Sequence, residues 1–152
     1  MMESIKQTIC QMTADHVAQV AQIERLCFRD PWSENSVAGE LTNKLAHWIV
    51  LEEDGRVLGY VGTQTVMDET DMMNIAVHPD HRRKGIADAL MAALISDLER
   101  MGSHSLTLEV RVSNEPARKL YERWGFAEVG RRKNYYRNPR EDALILRREI
   151  VA

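Results

Sequence analysis

"NIAVHPDHRRKGIADALM", residues 74–91, passes from apolar to basic and back to apolar within eighteen positions. Ile75 to Val77 close a strand-like run, Pro79 breaks it, and Ile86, Leu90, Leu94 and Leu98 then recur at the spacing of one helix face, so the stretch reads as strand, short loop, helix start. The first N–H groups of a helix have no partner inside it and carry a positive partial charge, so such a junction suits an anion. Gly85 lets the anion approach the backbone, and Arg82, Arg83 and Lys84 add cationic donors for phosphate oxygens. Neither the G-x-x-x-x-G-K-S/T phosphate loop nor the G-x-G-x-x-G dinucleotide fingerprint is present. On charge alone, a solvated basic loop serves as well.

Working outward, the same alternation continues on both sides. "SIKQTICQM" reads as a first strand, and "ADHVAQVAQIERLCF" carries Val17, Val20, Ile23 and Leu26 or Cys27 at helical spacing. "RDPWS" interrupts it, and Ser33 caps a second helix expected to run to about Asn43. "AHWIVLEE", the turn Asp54-Gly55 and "RVLGYVGTQTVM" predict a hairpin, and "TDMMNIAV" a further strand with Met72 and Met73 in the core. The helix from Gly85 ends at Gly102; "SLTLEVRV" follows as a strand with Leu106, Leu108 and Val110 on one face and Thr107, Glu109 and Arg111 on the other. A short helix from about Asn114 to Arg123 precedes two closing strands, "WGFAEVGRR" and "DALILRREI". This order predicts an α/β fold, a mixed sheet flanked by helices, in one domain spanning residues 1–152.

Composition narrows the functional classes. A chain of 152 residues with 44% hydrophobic content builds one core, and a net charge of -3 argues against a broad nucleic-acid surface. Apolar runs fall short of a membrane span, and "MMESIKQTIC" lacks a basic-then-apolar signal pattern, so a cytoplasmic protein with no membrane contact is expected. Cys10 and Cys27 are too isolated for a disulfide framework and are read as buried small hydrophobes. His78, Asp80 and His81 have no spacing that would converge on an ion across Pro79, so no metal is expected.

The spacing Arg82-x-x-Gly85-x-Ala87 resembles the Q/R-x-x-G-x-G/A signature of the GCN5-related N-acetyltransferases (GNAT). With "NIAVHP", "LEVRVSNEPARKLYERWGF", "RRKNYY", "REDALIL" and "FRDPWS", the chain is similar over nearly its full length to the RimI-type branch, which acetylates the N-terminal alanine of small-subunit ribosomal protein eighteen. Ala87, where glycine is frequent, and Asp88, where a basic residue is frequent, depart from the branch. The resemblance implies a GNAT fold of about seven strands and four helices. In that fold the strand ending "IAV" splays from "LTLEVRV" so that the N–H groups of Ile75, Ala76 and Val77 meet the pantetheine arm of acetyl-coenzyme A. It further implies pyrophosphate binding by Arg82, Arg83, Lys84, Gly85, Ile86, Ala87 and Asp88, a coenzyme contact from Asn114, and a protein N-terminal peptide, of a ribosomal protein, as partner.

Amide formation from a thioester needs a proton acceptor for the amine and a donor for the sulfur. Glu109 is a solitary carboxylate mid-strand, a general base or else a solvent-facing partner of Arg111; the resemblance implies the base. Tyr121, seven residues after Asn114, has a phenol able to donate to a thiolate, although a buried tyrosine is the commoner role; the family's "LY" pair implies the acid. Asn114 beside Pro116 also reads as a helix cap. Trp32, Tyr135 and Tyr136 are loop aromatics suited to an acceptor peptide, or to packing. Two other readings stay open: a GNAT enzyme acting on another protein N-terminus or a small amine, and a non-catalytic acetyl-coenzyme A binder, which would need neither Glu109 nor Tyr121.

Overall fold

The computed structural model describes residues 6–150. Seven strands and four α-helices follow one another as β1 (Gln7–Gln11), α1 (Val17–Cys27), α2 (Glu34–Gly39), β2 (Ala46–Glu53), β3 (Arg56–Val66), β4 (Glu69–Val77), α3 (Ile86–Met101), β5 (Ser105–Arg111), α4 (Glu115–Arg123), β6 (Ala127–Tyr136) and β7 (Glu141–Glu149). The hydrogen-bonded order is β1-β2-β3-β4-β5-β7-β6, a mixed sheet in which β4 and β5 run parallel. Ser4 and Ile5 of the expected first strand lie outside the described residues. Among the described residues no helix is long and apolar enough to cross a membrane.

Packing divides the chain into two compact units. The first comprises residues up to Gln64 together with Met73–Leu94. Its hairpin turns at Asp54 (φ +51°) and Gly55 (φ +77°), the positive-φ pair that a tight reversal between right-twisted strands requires. Its core gathers Val17, Val20 and Ile23 of α1 with Val37, Trp48, Val50, Val57 and Tyr60. Burial here follows the helical period to its end, where Cys27, and not Leu26, faces inward. Helix α2 is shorter than expected: after Gly39 the chain continues to Asn43 in i→i+3 bonds, Glu40 N–H to Val37, Leu41 to Ala38, Thr42 to Gly39 and Asn43 to Glu40.

The second unit comprises Thr65–Met72 and the residues from Ile95 onward. Strand β5 pairs antiparallel with β7 along its whole length, and β7 with β6. With β4, β5 shares a parallel ladder of Glu69↔Ser105, Thr70↔Leu106 and Asp71↔Thr107. Leu106, Leu108 and Val110 are buried while Thr107, Glu109 and Arg111 are half-exposed, as period-two alternation dictates.

Three expectations need correction. Met72 is buried, but Met73, one position on, points to the opposite face and is exposed. The two cysteines, both in the first unit, are half-buried and packed against its core. Residues Trp124 to Phe126 belong to a helix end, so β6 starts at Ala127 and extends to Tyr136.

Candidate active site

Seven candidates read from the sequence as a phosphate loop sit together in the first unit. Before α3, Arg83 (φ +64°) and Gly85 (φ +75°) both occupy the left-handed region, a conformation from which successive N–H groups form an anion-binding concavity. Arg83 accepts a cost of about 1–2 kcal/mol to be there, the kind of strain that marks ligand loops. The α3 ladder opens with Ala89 N–H donating to the Gly85 carbonyl (3.0 Å), so the N–H groups of Ile86 and Ala87 stand ahead of it. A Cβ added at Gly85 would meet nothing within 4 Å, so this face of the loop has room for a group lying directly on the backbone. Arg82, Arg83 and Lys84 are exposed, Ala87 and Asp88 half-buried, and Ile86 is anchored in the core. These features fit a pyrophosphate, and coenzyme A is the anion for which Arg82 to Asp88 would provide the site.

Upstream of the loop, Ala76 is buried and Ile75 and Val77 half-buried on β4. Close approach of β3 to this segment depends on Gly59, where a Cβ would lie 3.0 Å from the Ala76 carbonyl oxygen and 3.0 Å from Ile86. On the same unit, Trp32 stands edge-on to Trp48 with ring centres 5.3 Å apart, and Trp48 stacks on Tyr60 at 6.0 Å.

The second unit holds Glu109, Asn114, Tyr121, Tyr135 and Tyr136. Asn114 is the N-cap of α4, its side-chain oxygen accepting from Ala117 N–H at 3.2 Å, with proline in the first turn. The far end of α4 explains why Tyr121 is held. Gly125 (φ +83°) reverses the chain, Gly125 N–H bonds to Glu122 and Phe126 N–H to Tyr121, and the rings of Phe126 and Tyr121 meet edge-on at 5.4 Å. These are both bonds and the apolar contact of a Schellman motif, with Tyr121 as its anchor. The phenol is 5% exposed and its hydroxyl reaches the Met72 sulfur at 4.0 Å, a weak acceptor easily exchanged for a better one. Burial, followed by the neighbouring Tyr136, pushes this hydroxyl well above the ordinary tyrosine range, so it carries its proton at neutral pH.

Glu109 lies on the open face of β5 with its side chain 30% exposed, and its carboxylate pairs with Arg132 of β6 at 3.4 Å. The alternative partner read from the sequence, Arg111, is engaged elsewhere: it donates to the Pro139 and Arg137 carbonyls, both at 2.9 Å, and pairs with Glu141 at 3.3 Å. Its guanidinium also lies 4.4 Å from the centre of the Tyr136 ring. Tyr136 is half-buried, and its hydroxyl is pushed up to about 12 by burial first, then by Tyr135 and the Glu109 charge. It is therefore within electrostatic reach of both Glu109 and Tyr121. Tyr135 is exposed, with Arg132 at 5.9 Å from its ring centre.

Two groups escaped the sequence reading. Arg132 lies in the run "RRKNYY", where nothing local points to Glu109; strand register brings the two together. Glu24 is fully buried on α1; its signal is a lone carboxylate at the third position of the stripe 17-20-24-27. Among the described residues, a cluster with metal-ligand character joins Cys10, His16 and Glu52, away from the His78/Asp80/His81 run. Its histidine is already committed: Nδ1 accepts from Thr13 N–H at 2.9 Å, which puts the ring proton on Nε2, 2.9 Å from Glu52. An ion on Nε2 would leave neither nitrogen with a proton, so this geometry serves the Thr13 turn and not a metal.

The "Acetyltransferase (GNAT) family" model matches residues 17–126. The [ribosomal protein bS18]-alanine N-acetyltransferase of Escherichia coli (strain K12) is 38% identical over 141 residues, 91% of this chain and 95% of that one. A Bacillus subtilis (strain 168) protein provisionally given the same name is 38% identical over 142 residues, 93% and 94% of the two chains. The crystal structure of the Escherichia coli ribosomal-protein-S18-alanine N-acetyltransferase superposes with a TM-score of 0.90 at 37% identity, covering 97% of this chain and 96% of that one. Likeness of this extent, together with a parallel β4–β5 pair and a glycine-led start to α3, means that the chain belongs to the GNAT acetyltransferase family, in its RimI-type branch.

Proposed function

We propose that this acyltransferase carries the acetyl group of acetyl-coenzyme A to the N-terminal α-amine of a protein, and that its acceptor is the N-terminal alanine of ribosomal protein bS18. The acceptor is argued from the relatives named for that reaction. The observation that carries the chemistry is the treatment of two side chains in one unit: a carboxylate on the open face of β5 and a phenol buried and protonated at the end of α4, with Tyr136 in electrostatic reach of both.

Acetyl-coenzyme A supplies the thioester carbonyl that the amine attacks. Glu109 accepts the proton the α-ammonium gives up, which frees the nitrogen lone pair. As the new N–C bond forms and the C–S bond breaks, Tyr121 donates its phenolic proton to the departing sulfur and is reprotonated from solvent. Two of the ammonium's three protons thus leave nitrogen; one is balanced by the thiol, the other is released. The N–H groups of Ile75 to Val77 align the pantetheine arm, and the loop from Arg82 to Asp88 holds the pyrophosphate, with Asn114 a further coenzyme contact. Trp32, Tyr135 and Tyr136 border the acceptor. Incubation with acetyl-coenzyme A and peptides differing only at the first residue, followed by mass spectrometry, tests this: a single α-acetyl is expected on alanine-started peptides, and acetylation of none of them would refute it.

A further inference from the structure

The buried carboxylate of Glu24 takes no part in the proton transfers above, yet it is heavily hydrogen-bonded. It is 0% exposed and accepts three bonds from three different segments: Trp32 N–H at 2.9 Å, Asn74 Nδ2 at 2.7 Å, and the Tyr60 hydroxyl. Burial, followed by the Glu24 charge, pushes Tyr60 far above the ordinary tyrosine range and keeps it a donor. A carboxylate in an apolar core is expensive, and a leucine at this position would complete the α1 stripe without that cost. What the carboxylate adds is geometry. Asn74 immediately precedes Ile75, and one helical turn after Glu24 the Cys27 thiol reaches the Val77 carbonyl at 3.5 Å. Helix α1 therefore grips β4 at both ends of Ile75–Val77, while the other oxygen of the same carboxylate fixes the backbone of the "FRDPWS" loop at Trp32.

We infer that Glu24 is a positioning residue that locks the coenzyme-binding edge of β4 and the acceptor-side loop at Trp32 into one register. This rests on the acetyl transfer proposed above. The test uses the full chain, with coenzyme A affinity measured calorimetrically and peptide KM and kcat measured well below the melting temperature of each variant. Glu24→Ala should weaken coenzyme A binding and raise peptide KM by roughly tenfold each, with kcat changed less. Glu24→Gln, whose amide can serve the same three neighbours once Asn74 flips and Tyr60 accepts, should restore both to within about threefold. Val20→Ala removes core volume from the same helix and no polar bond; it should lower stability while leaving affinity and KM within about twofold. Should Glu24→Ala not fold, Asn74→Ala isolates the strand arm and should weaken coenzyme A binding about fivefold with peptide KM preserved. Wild-type affinity in Glu24→Ala or Asn74→Ala, or an equal loss in Val20→Ala, overturns the inference. Absence of acetylation by the wild-type chain would refute the proposed function, whereas the calorimetric arm judges Glu24 without any acceptor.

Discussion

Glu109 and Tyr121 are handled oppositely by the fold, and the difference suits their proposed duties. Glu109 keeps solvent access and a movable cationic partner in Arg132, so its carboxylate can pass a proton on. Tyr121 is sealed against Met72 and Phe126, where ionisation is disfavoured and the proton is retained until a developing thiolate asks for it. Glu109→Gln and Tyr121→Phe should each reduce kcat by about 10²–10⁴ with coenzyme affinity nearly intact, the usual range for a positioned base or acid. Steady-state kinetics beside calorimetric titration checks this, and wild-type turnover in either variant would remove that residue from the mechanism. At Gly85 the argument is conformational as well as steric. Valine fits the open face of the loop but not φ +75°, and its branched side chain would stand where the phosphates are expected. Gly85→Val should stay folded by circular dichroism and lose at least about tenfold in coenzyme affinity.

At the scale of elements, helix α4 is the short lever that sets Tyr121. Asn114 and Pro116 fix its start, and Gly125 its end. A Cβ at Gly125 would come no nearer than 3.5 Å to Arg148 Nε, so an alanine there is penalised by backbone conformation and not by collision. Gly125→Ala should therefore cost about 1–2 kcal/mol in urea denaturation, and Gly125→Asn less, since asparagine tolerates the left-handed region. An equal loss in both would point to packing instead. Elements were the most legible part of the sequence where a period and a stop signal coincided: Asp54-Gly55 between two apolar runs, Gly102 after the Leu90-Leu94-Leu98 stripe, alternation along β5. Legibility failed where local chemistry offered two outcomes. "WGF" has strand-forming residues, but the Schellman bonds to Glu122 and Tyr121 claim it for the helix end. Met73 follows a core methionine yet faces outward, because alternation outranks hydrophobicity at the edge of a core.

For the molecule as a whole, long-range register is what the sequence could not display. Arg132 meets Glu109, Arg111 turns to Glu141, and Glu24 gathers Trp32, Tyr60 and Asn74 only after strands far apart in the chain are paired. The candidate residues themselves could be listed beforehand because they follow motif spacing, whereas these partners obey no spacing at all. The proposed choice of acceptor also belongs to this scale, since it depends on what one carboxylate can accomplish without further help. An α-amine titrates near 8, so about one in ten is neutral at pH 7; a lysine titrates near 10.4, and only about one in 2,500 is neutral. Burying the lysine or adding a second base would close that gap. Glu109, half-open and paired with an arginine, offers no such desolvated environment. Peptides with a free α-amine should accordingly be acetylated at least about 10²-fold faster than peptides of the same sequence with a blocked α-amine and a free lysine. Raising the pH from 7 to 9 should narrow the ratio, because the neutral lysine fraction grows about a hundredfold over that interval while the α-amine fraction approaches its ceiling. Comparable rates at pH 7 would place the acceptor on a side chain and leave the acetyl-transfer chemistry standing.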